Sequence, residues 1–352
     1  MSPRLMRPAL FATTADASAL RGRAHPLPYD RDSMAPGDVL PMRDERFLRA
    51  LLAAQAIYFD GRQTNLGDAL LGLSYLEAVR DAASLLGLQL RVIASPDIAR
   101  LLKVPGTNRP PDRTLRIGVA QGSERLFASN EDLPVFRTAT RVYASLPSRY
   151  YFDVERRLGL RLPRSSGFLP VLPARPAHRD RPFVCYIAAS SWPEKKDYGI
   201  RGFARVAQQI GDDFEHVVVR GLDDPPETHP PLTLAPESND VEDLLGLFAE
   251  AALIIGNDTG LLHAAAMTAT SSRRGVIGIY GRHSYLRFTT GDRHQYAIAT
   301  PFAQAMAFSD RSPVRDQIDD ERYRRAAAVQ RIAPEFIAAC ARRVVDGGKM
   351  GW

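Results

Sequence analysis

The chain has 352 residues, of which 45% are hydrophobic and 24% are charged. This composition is typical of a soluble globular protein, and the length exceeds what one hydrophobic core usually organises, so we expect two domains. We find neither an apolar run of about 18 residues, which a membrane-spanning helix needs, nor a signal-peptide pattern, and we therefore expect a cytoplasmic protein.

The formal net charge is +6, and the isoelectric point is near 9.4. An excess of basic over acidic residues of this size fits the binding of phosphorylated ligands. No zinc-finger or RNA-binding signature accompanies the arginines, so nucleic acid is not an expected partner. The two cysteines, Cys185 and Cys340, have no CxxC partner. Their positions in apolar segments predict buried packing rather than a zinc site, a disulfide framework or a catalytic thiol.

In chain order, the first segment is residues 1–45. It has no sustained hydrophobic period and is predicted to be a loosely structured extension. Residues 46–170 are predicted to form a first domain. Its apolar runs predict strands at the end of 51–59, at 88–94 and at 115–120, with a leucine-rich amphipathic helix after the first. Strands that alternate with helices indicate a parallel sheet covered on both faces.

A Pro- and Arg-rich stretch at 161–182 is the predicted linker, because proline withholds backbone donors and favours extended chain. Residues 171–318 are predicted to form a second domain of the same kind. Its predicted strands are 183–188, 215–220, 252–256 and 275–280, and its predicted helices are 200–210, 241–251 and 261–267. Residues 319–352 are predicted as a long C-terminal helix, over 319–345, that packs back toward the first domain. The pattern predicts two Rossmann-like domains that face each other across a cleft, with ligands at the carboxyl ends of the strands.

The sharpest motif joins an apolar strand to a helix at Gly256-Asn257-Asp258-Thr259-Gly260. Backbone N–H groups at Thr259 and Gly260, together with the positive end of the helix dipole, suit a diphosphate. A simple helix cap by Asp258 or Thr259 is the structural alternative.

A polar loop at 61–68 lies between the first strand and the first helix of the N-terminal domain. Asp68 is expected near the N-terminus of that helix, where a carboxylate can accept a proton from an attacking acceptor hydroxyl. A cap or an ordinary turn is again the alternative. Thr64, Asn65 and Gly67 of the same loop are candidates for binding acceptor or sugar.

The third candidate segment follows the first strand of the second domain and contains Trp192, Lys195 and Lys196. A lysine at this position can neutralise the charge that grows on a departing diphosphate. Exposed lysines are common, so a plain surface role is the alternative. The sequence does not decide between Lys195 and Lys196.

In this order, the three segments resemble glycosyltransferase family 9, the ADP-heptose:lipopolysaccharide heptosyltransferases and their relatives, which have the GT-B fold. The strongest match is Asp258-Thr259-Gly260, with His263 five residues after the aspartate. Residues 65–71 are similar to the family's Gly-Asp-Val-Leu opening loop. Residues 192–196 are similar to the loop whose lysine contacts donor phosphates.

The resemblance implies an inverting, metal-independent transfer of a heptose- or octose-like sugar from an ADP- or GDP-linked donor. It implies that Asp68 is the general base and that Lys195 or Lys196 receives the diphosphate with the turn at Asp258. His263 is implied to orient that turn or touch phosphate, with a buried structural role as the alternative. The implied partners are the nucleotide-diphosphate sugar and a small-molecule or glycolipid acceptor. No cofactor or metal is implied, and a homodimer is left open.

The chain departs from the family pattern in two places. Arg282 and His283 stand where relatives often carry a Gly-Pro-Thr-like turn, and they become candidates for binding phosphate or sugar hydroxyls. Asp223 and Asp224 are only candidates for the acidic residue that holds the donor ribose. These departures suggest a specialised acceptor. One hypothesis is a natural-product branch in antibiotic biosynthesis, similar to the lincosamide S-glycosyltransferases, with a thiol acceptor that ionises more readily than an alcohol.

Two other functions stay open at this point. A GT-B-like sugar-nucleotide epimerase would need further carboxylates and histidines in the cleft, and the chain has only seven histidines. A non-catalytic nucleotide-sugar-binding protein would keep the turn at Asp258 without needing Asp68. The nucleotide base, the sugar, the acceptor and the O- or S-glycosidic nature of the bond are not predicted by the sequence.

Overall fold

The computed structural model of the chain describes residues 45–61, 66–94, 115–119, 134–137, 154–155, 157–160, 162, 181–190, 192–221, 229–235, 241–268, 275–283, 285, 295–309 and 324–347. These residues fall into two units, divided between Pro173 and Ala174. The predicted N-terminal extension and most of the predicted linker lie outside the described residues. The domain boundaries named above therefore stay predictions.

The described residues of the N-terminal unit form an α/β unit with a four-stranded parallel sheet. Its elements are α1 (Glu45–Ala54), β1 (Ala56–Gly61), α2 (Leu66–Leu86), β2 (Gln89–Ala94), β3 (Leu115–Val119) and β4 (Val135–Arg137). The strand order is β3-β2-β1-β4, and every pair is parallel. The order reverses at β1, which has β2 on one side and β4 on the other. The carboxyl end of β1, from which α2 follows, is thus at the topological switch point.

Helix α1 was not predicted from the sequence, and aromatic packing explains its place. Phe47 and Leu51, one helical turn apart, are its buried residues. The Phe47 ring meets Phe136 of β4 edge-on, with the ring centroids 4.7 Å apart. Phe136 in turn meets Tyr75 of α2 at 5.7 Å. Edge-to-face pairs of this kind add to the free energy gained by burial, so these rings tie α1, α2 and β4 together.

In the part of the C-terminal unit that the structure describes, six strands form a parallel sheet. Its strands are β5 (Phe183–Ile187), β6 (Glu215–Val219), β7 (Thr233–Leu234), β8 (Leu253–Asn257), β9 (Gly275–Tyr280) and β10 (Gln295–Ala299). Its helices, as far as the one that follows β10, are α3 (Pro193–Lys196), α4 (Ile200–Ile210), α5 (Val241–Glu250), α6 (Gly260–Met267) and α7 (Pro301–Ser309). The order is β10-β9-β8-β5-β6-β7, with all pairs parallel. The switch point lies between β5 and β8.

Glycines let one helix lie close to this sheet. A Cβ atom at Gly256 would come within 3.2 Å of Leu262 Cδ1, and one at Gly278 would come within 2.7 Å of Leu262 Cδ2. Gly256 and Gly278 are register partners on β8 and β9. The side chain of Leu262, in the first turn of α6, therefore occupies the space that two glycines leave open.

The C-terminal residues differ from the single helix predicted over 319–345. The structure has α8 (Arg324–Ala327), one 3-10 turn (Val329–Arg331) and α9 (Pro334–Val345). Pro334 stands in the first turn of α9, because its missing N–H and fixed φ suit a helix start and not a helix interior. Helix α9 packs against α4 of its own unit. A Cβ atom at Gly275 would lie 2.5 Å from Val344 Cγ1, which shows how closely α9 approaches β9.

Both cysteines are buried in the C-terminal unit, Cys185 in β5 and Cys340 in α9. Burial raises the pKa of the Cys340 thiol to about 12, with Arg343 acting weakly in the opposite direction. Such a thiol stays protonated at neutral pH and serves as an apolar packing group. Across the described helices, none combines the length and the hydropathy that a membrane span requires.

Candidate functional site

Three polar segments of the C-terminal unit meet at one edge of its sheet. In the register, Gly256 of β8 pairs with Ile187 of β5, and Asn257 pairs with Ile279 of β9. Parallel strands end at the same edge, so the residues that follow β5, β8 and β9 become neighbours. The structure thereby brings together the segments at 192–196, 258–260 and 281–283.

The turn after β8 leads directly into α6. Thr259 is the N-cap: its backbone is extended, and its Oγ1 accepts a hydrogen bond from the N–H of Leu262 at 3.4 Å. The helix begins at Gly260. Thr259 thus caps α6, while Asp258 has a different set of partners.

The Asp258 carboxylate binds two basic side chains from the flanking segments. Lys196 Nζ lies 2.9 Å from Asp258 Oδ2 and also donates to the Asp258 carbonyl oxygen at 3.3 Å. His283 Nδ1 lies 3.3 Å from the same Oδ2. Asp258 is 4% exposed. One buried carboxylate thus joins the segments that follow β5, β8 and β9.

These partners set the ionisation of Asp258. Burial alone raises the pKa of a carboxyl group. Here the hydrogen bond from His283 and the positive charges of Lys196, His283 and His263 outweigh burial, and they hold the pKa of Asp258 well below its ordinary value. The carboxylate is charged at neutral pH, so it suits the fixing of cations better than the transfer of protons.

Asn257, the last residue of β8, is fully buried and makes three hydrogen bonds to the segment after β5. Its Nδ2 donates to the Ala188 carbonyl oxygen and to Asp197 Oδ1, both at 2.9 Å. Its Oδ1 accepts from the Tyr198 N–H at 3.0 Å. No role for Asn257 was predicted from the sequence, although an amide at the end of an apolar strand is a polar group that must find partners.

A second cluster lies outside the Asp258 contacts. Lys195 Nζ is 5.0 Å from the centroid of the Trp192 ring, and Arg282 Cζ is 4.4 Å from it. Both distances are within the range of cation–π interactions. Trp192 is 42% exposed. The two lysines that the sequence could not separate therefore have different surroundings: Lys196 binds Asp258, and Lys195 lies over Trp192.

The chain between α8 and α9 contacts these segments, and these contacts were not predicted from the sequence. Tyr198 Oη donates to the Ile332 carbonyl oxygen at 2.8 Å, and Gln330 Nε2 donates to the Asp197 carbonyl oxygen. A Cβ atom at Gly281 would lie 2.5 Å from the Ala327 carbonyl oxygen. Residues 327–332, called the C-terminal strap below, thus contact the segments after β5 and β9.

The remaining predicted residues are placed as follows. Gly67 and Asp68 lie in the first turn of α2, directly beyond β1 at the switch point of the N-terminal sheet. His263 lies in α6 and is buried. Thr64, Asn65, Asp223 and Asp224 lie outside the described residues. Within the described part of the chain, no group of three or more His, Cys, Asp or Glu side chains is arranged to hold a metal ion.

Comparison with known proteins supports the resemblance found in the sequence. Residues 151–315 match the family model "Glycosyltransferase family 9 (heptosyltransferase)". No curated protein matches the chain.

Solved structures share the fold. A family 9 glycosyltransferase from Veillonella parvula superposes with a TM-score of 0.58 at 16% identity, covering 83% of this chain and 97% of that chain. The E. coli ADP-heptose lipopolysaccharide heptosyltransferase II gives a TM-score of 0.56 at 14% identity, covering 83% and 99%. E. coli heptosyltransferase WaaC, solved with ADP, gives 0.50 at 12% identity, covering 84% and 100%. The chain therefore has the GT-B fold of these glycosyltransferases, and its residues 151–315 are similar to glycosyltransferase family 9.

Proposed function

We propose that this protein is an inverting glycosyltransferase that moves a heptose- or octose-like sugar from a nucleotide-diphosphate donor to a hydroxyl or thiol acceptor. One observation carries the proposal. The segments after β5, β8 and β9 bring Lys195, Lys196 and Arg282 to the sheet edge at which α6 begins. That is the chemistry a diphosphate needs, and a heptosyltransferase of the same fold has been solved with ADP.

The donor diphosphate would lie against the start of α6. The N–H groups of a helix's first turn point toward such a ligand, and the helix dipole favours its negative charge. Thr259 fixes the helix start through its bond to Leu262, and His263 is buried within the same helix. Asp258 shapes this turn while its own charge is matched by Lys196 and His283.

The acceptor proton would go to Asp68. As the acceptor oxygen or sulfur attacks the anomeric carbon, its bond to hydrogen breaks and the Asp68 carboxylate takes the proton. The bond from the anomeric carbon to the phosphate oxygen breaks at the same time, and the nucleoside diphosphate leaves with the electron pair. Asp258 is unsuited to this role because its cationic partners hold its pKa well below the ordinary value. Thr64, Asn65 and Gly67 would bind the acceptor or the sugar, and Asp223 or Asp224 would bind the donor ribose.

Binding and transfer assays test the proposal. The parent protein is titrated with ADP, GDP and UDP by calorimetry, and transfer from the matching nucleotide sugar is then measured for the parent and for Asp68→Asn. We expect kcat to fall at least about 100-fold with nucleotide affinity unchanged, as for the removal of a general base. Asp81→Asn, on the same helix α2, is the matched control and should keep the parent's rate.

The outcomes separate the rival functions. Nucleotide binding without transfer to any acceptor would indicate a binding protein, and interconversion of the free nucleotide sugar would indicate an epimerase. Full activity of Asp68→Asn with an alcohol acceptor would remove Asp68 from the mechanism. With a thiol acceptor the loss should be smaller, because a thiol ionises more readily.

A further inference from the structure

The short helix α3, which carries Lys195 and Lys196, needs contacts from elsewhere in the chain to hold its position. It has only four residues. A helix of one turn is marginal on its own, because forming the first turn costs more conformational entropy than its hydrogen bonds return. The turn that follows it, at Asp197 and Tyr198, provides those contacts.

Four polar groups of this turn are held, two by β8 and two by the C-terminal strap. From β8, Asn257 Nδ2 donates to Asp197 Oδ1 at 2.9 Å, and Asn257 Oδ1 accepts from the Tyr198 N–H at 3.0 Å. From the strap, Gln330 Nε2 donates to the Asp197 carbonyl oxygen. Tyr198 Oη donates to the Ile332 carbonyl oxygen at 2.8 Å. The backbone directly after α3 is therefore fixed between the sheet and the strap.

The strap is itself anchored in the hydrophobic core. Val329 is fully buried and Ile332 nearly so, and both belong to the cluster that α4 and α9 form with the sheet. Gln330, between them, is exposed and leaves its amide for Asp197. A backbone held by buried neighbours on both sides gives the groups bonded to it a fixed reference point.

The strap also meets the segment after β9. A Cβ atom at Gly281 would lie 2.5 Å from the Ala327 carbonyl oxygen, so the two backbones are in close contact. The Gly281 carbonyl oxygen accepts from Thr300 Oγ1 at 2.6 Å, and that Oγ1 accepts from the Ala303 N–H in α7. One stretch of chain thus contacts both segments that flank the turn before α6.

We propose that Tyr198 and Gln330 are positioning residues, through which the C-terminal strap holds α3 and thereby sets the place of Lys196 in the donor site. This inference rests on the proposed function. Lys196 directly precedes the held turn, and its Nζ lies 2.9 Å from Asp258 Oδ2. A misplacement of about 1 Å is enough to impair a group that acts on a ligand. Without the strap's hydrogen bonds, the turn is free to shift by such a distance.

The phenol of Tyr198 suits a permanent contact. It is buried, and its ring meets Phe203 of α4 edge-on, with the ring centroids 5.3 Å apart. Burial raises the pKa of the hydroxyl well above its ordinary value, with Glu335 acting in the same direction and Arg205 against it. The hydroxyl therefore stays protonated, and it can donate to Ile332 throughout the neutral pH range.

Calorimetry with single variants tests the assignment. The probes are ADP, GDP and UDP, and the nucleotide that the parent binds is used throughout. Tyr198→Phe keeps the ring and removes the hydroxyl, and Gln330→Ala removes the exposed amide. Each should weaken nucleotide affinity about 3-fold, within the range for one neutral hydrogen bond, with the number of binding sites per chain unchanged. A merely structural role would instead lower the number of sites, because unfolded chains bind nothing, and would leave the affinity of the folded chains unchanged.

Tyr186→Phe is the matched control for Tyr198→Phe. Tyr186 is also buried, its ring also packs on Phe203, and its hydroxyl also has a buried partner, His216 Nδ1 at 3.0 Å. The same substitution therefore removes a comparable hydrogen bond from the same core without changing a contact of the strap. Thermal unfolding should show similar losses of stability in both variants, while Tyr186→Phe keeps the parent's affinity. Gln208→Ala, which removes an exposed amide that donates to Pro230, is the control for Gln330→Ala.

A double-variant cycle tests the route through Lys196. In the Lys196→Gln background, adding Tyr198→Phe should weaken affinity by less than about 1.5-fold, because the side chain that the turn positions is gone. In the transfer assay, the KM of Tyr198→Phe for the donor should rise in proportion to its loss of affinity. A loss of folded protein would instead lower kcat and leave KM unchanged.

The contrary outcomes are distinct. If Tyr198→Phe and Gln330→Ala weaken affinity no more than their controls, the strap does not position the site, and the proposed function stands. If the effect of Tyr198→Phe persists undiminished in Lys196→Gln, the route through Lys196 is wrong. If the parent binds none of the three nucleotides, the proposed function itself fails.

Discussion

Asp258 and Lys196 lie 62 positions apart in the sequence, yet the carboxylate and the ammonium are 2.9 Å from each other. The pair connects the segment after β5 with the turn before α6, and His283 joins it from the segment after β9. Because Asp258 is almost fully buried, the pair fixes the relative positions of these segments. Ligand contacts made elsewhere on the segments depend on that fixed arrangement.

The coupling of this pair can be measured. Asp258→Asn and Lys196→Gln should each lower the free energy of unfolding by about 1–3 kcal/mol, since each leaves a partly or fully buried partner charge. The double variant should lose at least about 1 kcal/mol less than the sum, as expected for residues in contact. Urea denaturation of the four proteins gives the values. The double variant of Asp258→Asn and Arg205→Ala is the comparison, and its loss of unfolding free energy should equal the sum of the two single losses. If the losses of Asp258→Asn and Lys196→Gln are also additive, the ion pair contributes nothing to stability.

Replacing Asn257 should loosen the segment that carries Lys195 and Lys196. Asn257→Ala removes a buried amide that satisfies Ala188, Asp197 and Tyr198. We expect the free energy of unfolding to fall by about 2–3 kcal/mol, since buried polar groups lose their partners, and nucleotide affinity to fall with it. Gln208→Ala, which removes an exposed amide that donates to Pro230, is the matched control and should change stability by under about 0.5 kcal/mol. Equal effects of the two substitutions would contradict the role given to Asn257.

Gly281 should tolerate no side chain. In Gly281→Ala, the added Cβ would meet the Ala327 carbonyl oxygen at 2.5 Å and Val329 Cγ1 at 2.6 Å. We expect a loss of about 1–3 kcal/mol from overpacking, with weaker nucleotide binding because Arg282 follows directly. Adding Val329→Ala should not restore stability, since the backbone carbonyl remains in place. Full recovery in that double variant would mean that only the valine limits the site.

His216 should make the C-terminal unit less stable in mild acid. Its Nε2–H donates to the Gly211 carbonyl oxygen at 3.0 Å, so its Nδ1, also at 3.0 Å, accepts from the Tyr186 hydroxyl in the neutral ring. Burial lowers the pKa of His216, against smaller opposite effects of the Gly211 hydrogen bond and the Asp212 charge.

The sign of the pH dependence follows from this lowered pKa. The unfolded chain takes up a proton near pH 6.5, and the folded chain does so only at lower pH, so stability falls as the pH drops below about 6.5 and is complete above it. Urea unfolding at pH 7.5 and 5.5 should show a larger loss in the parent than in His216→Gln. Identical losses in both proteins would assign the pH dependence to other groups.

Transfer should continue without a metal ion. In the proposed mechanism the side-chain cations and the start of α6 neutralise the departing diphosphate. Treatment with EDTA should therefore change the rate less than about twofold. An activity that EDTA abolishes and that a divalent cation or iron restores would contradict the metal-independent mechanism.

The strands of the C-terminal unit were predictable from the sequence. The predictions at 183–188, 215–220, 252–256 and 275–280 each lie within one residue of β5, β6, β8 and β9. Strands covered on both faces are continuous apolar runs, so a short window of sequence reveals them. The turn before α6 was predictable for the same reason, because a Gly-rich polar motif directly follows such a run.

Shorter and mixed segments were not predictable. Strand β4 has only three residues, and β10 begins with Gln295, so neither contains a long apolar run. Which of Lys195 and Lys196 contacts Asp258 could not be predicted, for a different reason. Successive residues in a helical turn point about 100° apart, and which direction faces Asp258 depends on where α3 lies on the sheet. That position is set by Asn257 and by the C-terminal strap, contacts that join distant parts of the chain.

The C-terminal strap has a consequence for the order in which the protein matures. Residues 327–332 reach the segments after β5 and β9 only once the ribosome has produced every strand of the described sheets. Until then, Tyr198 lacks its hydrogen bond to Ile332 and Gly281 lacks the backbone that covers it. A nascent chain can therefore form its sheets during synthesis while the candidate site is still incomplete. Competence for the ligand would arise in a late step, after most of the core has formed.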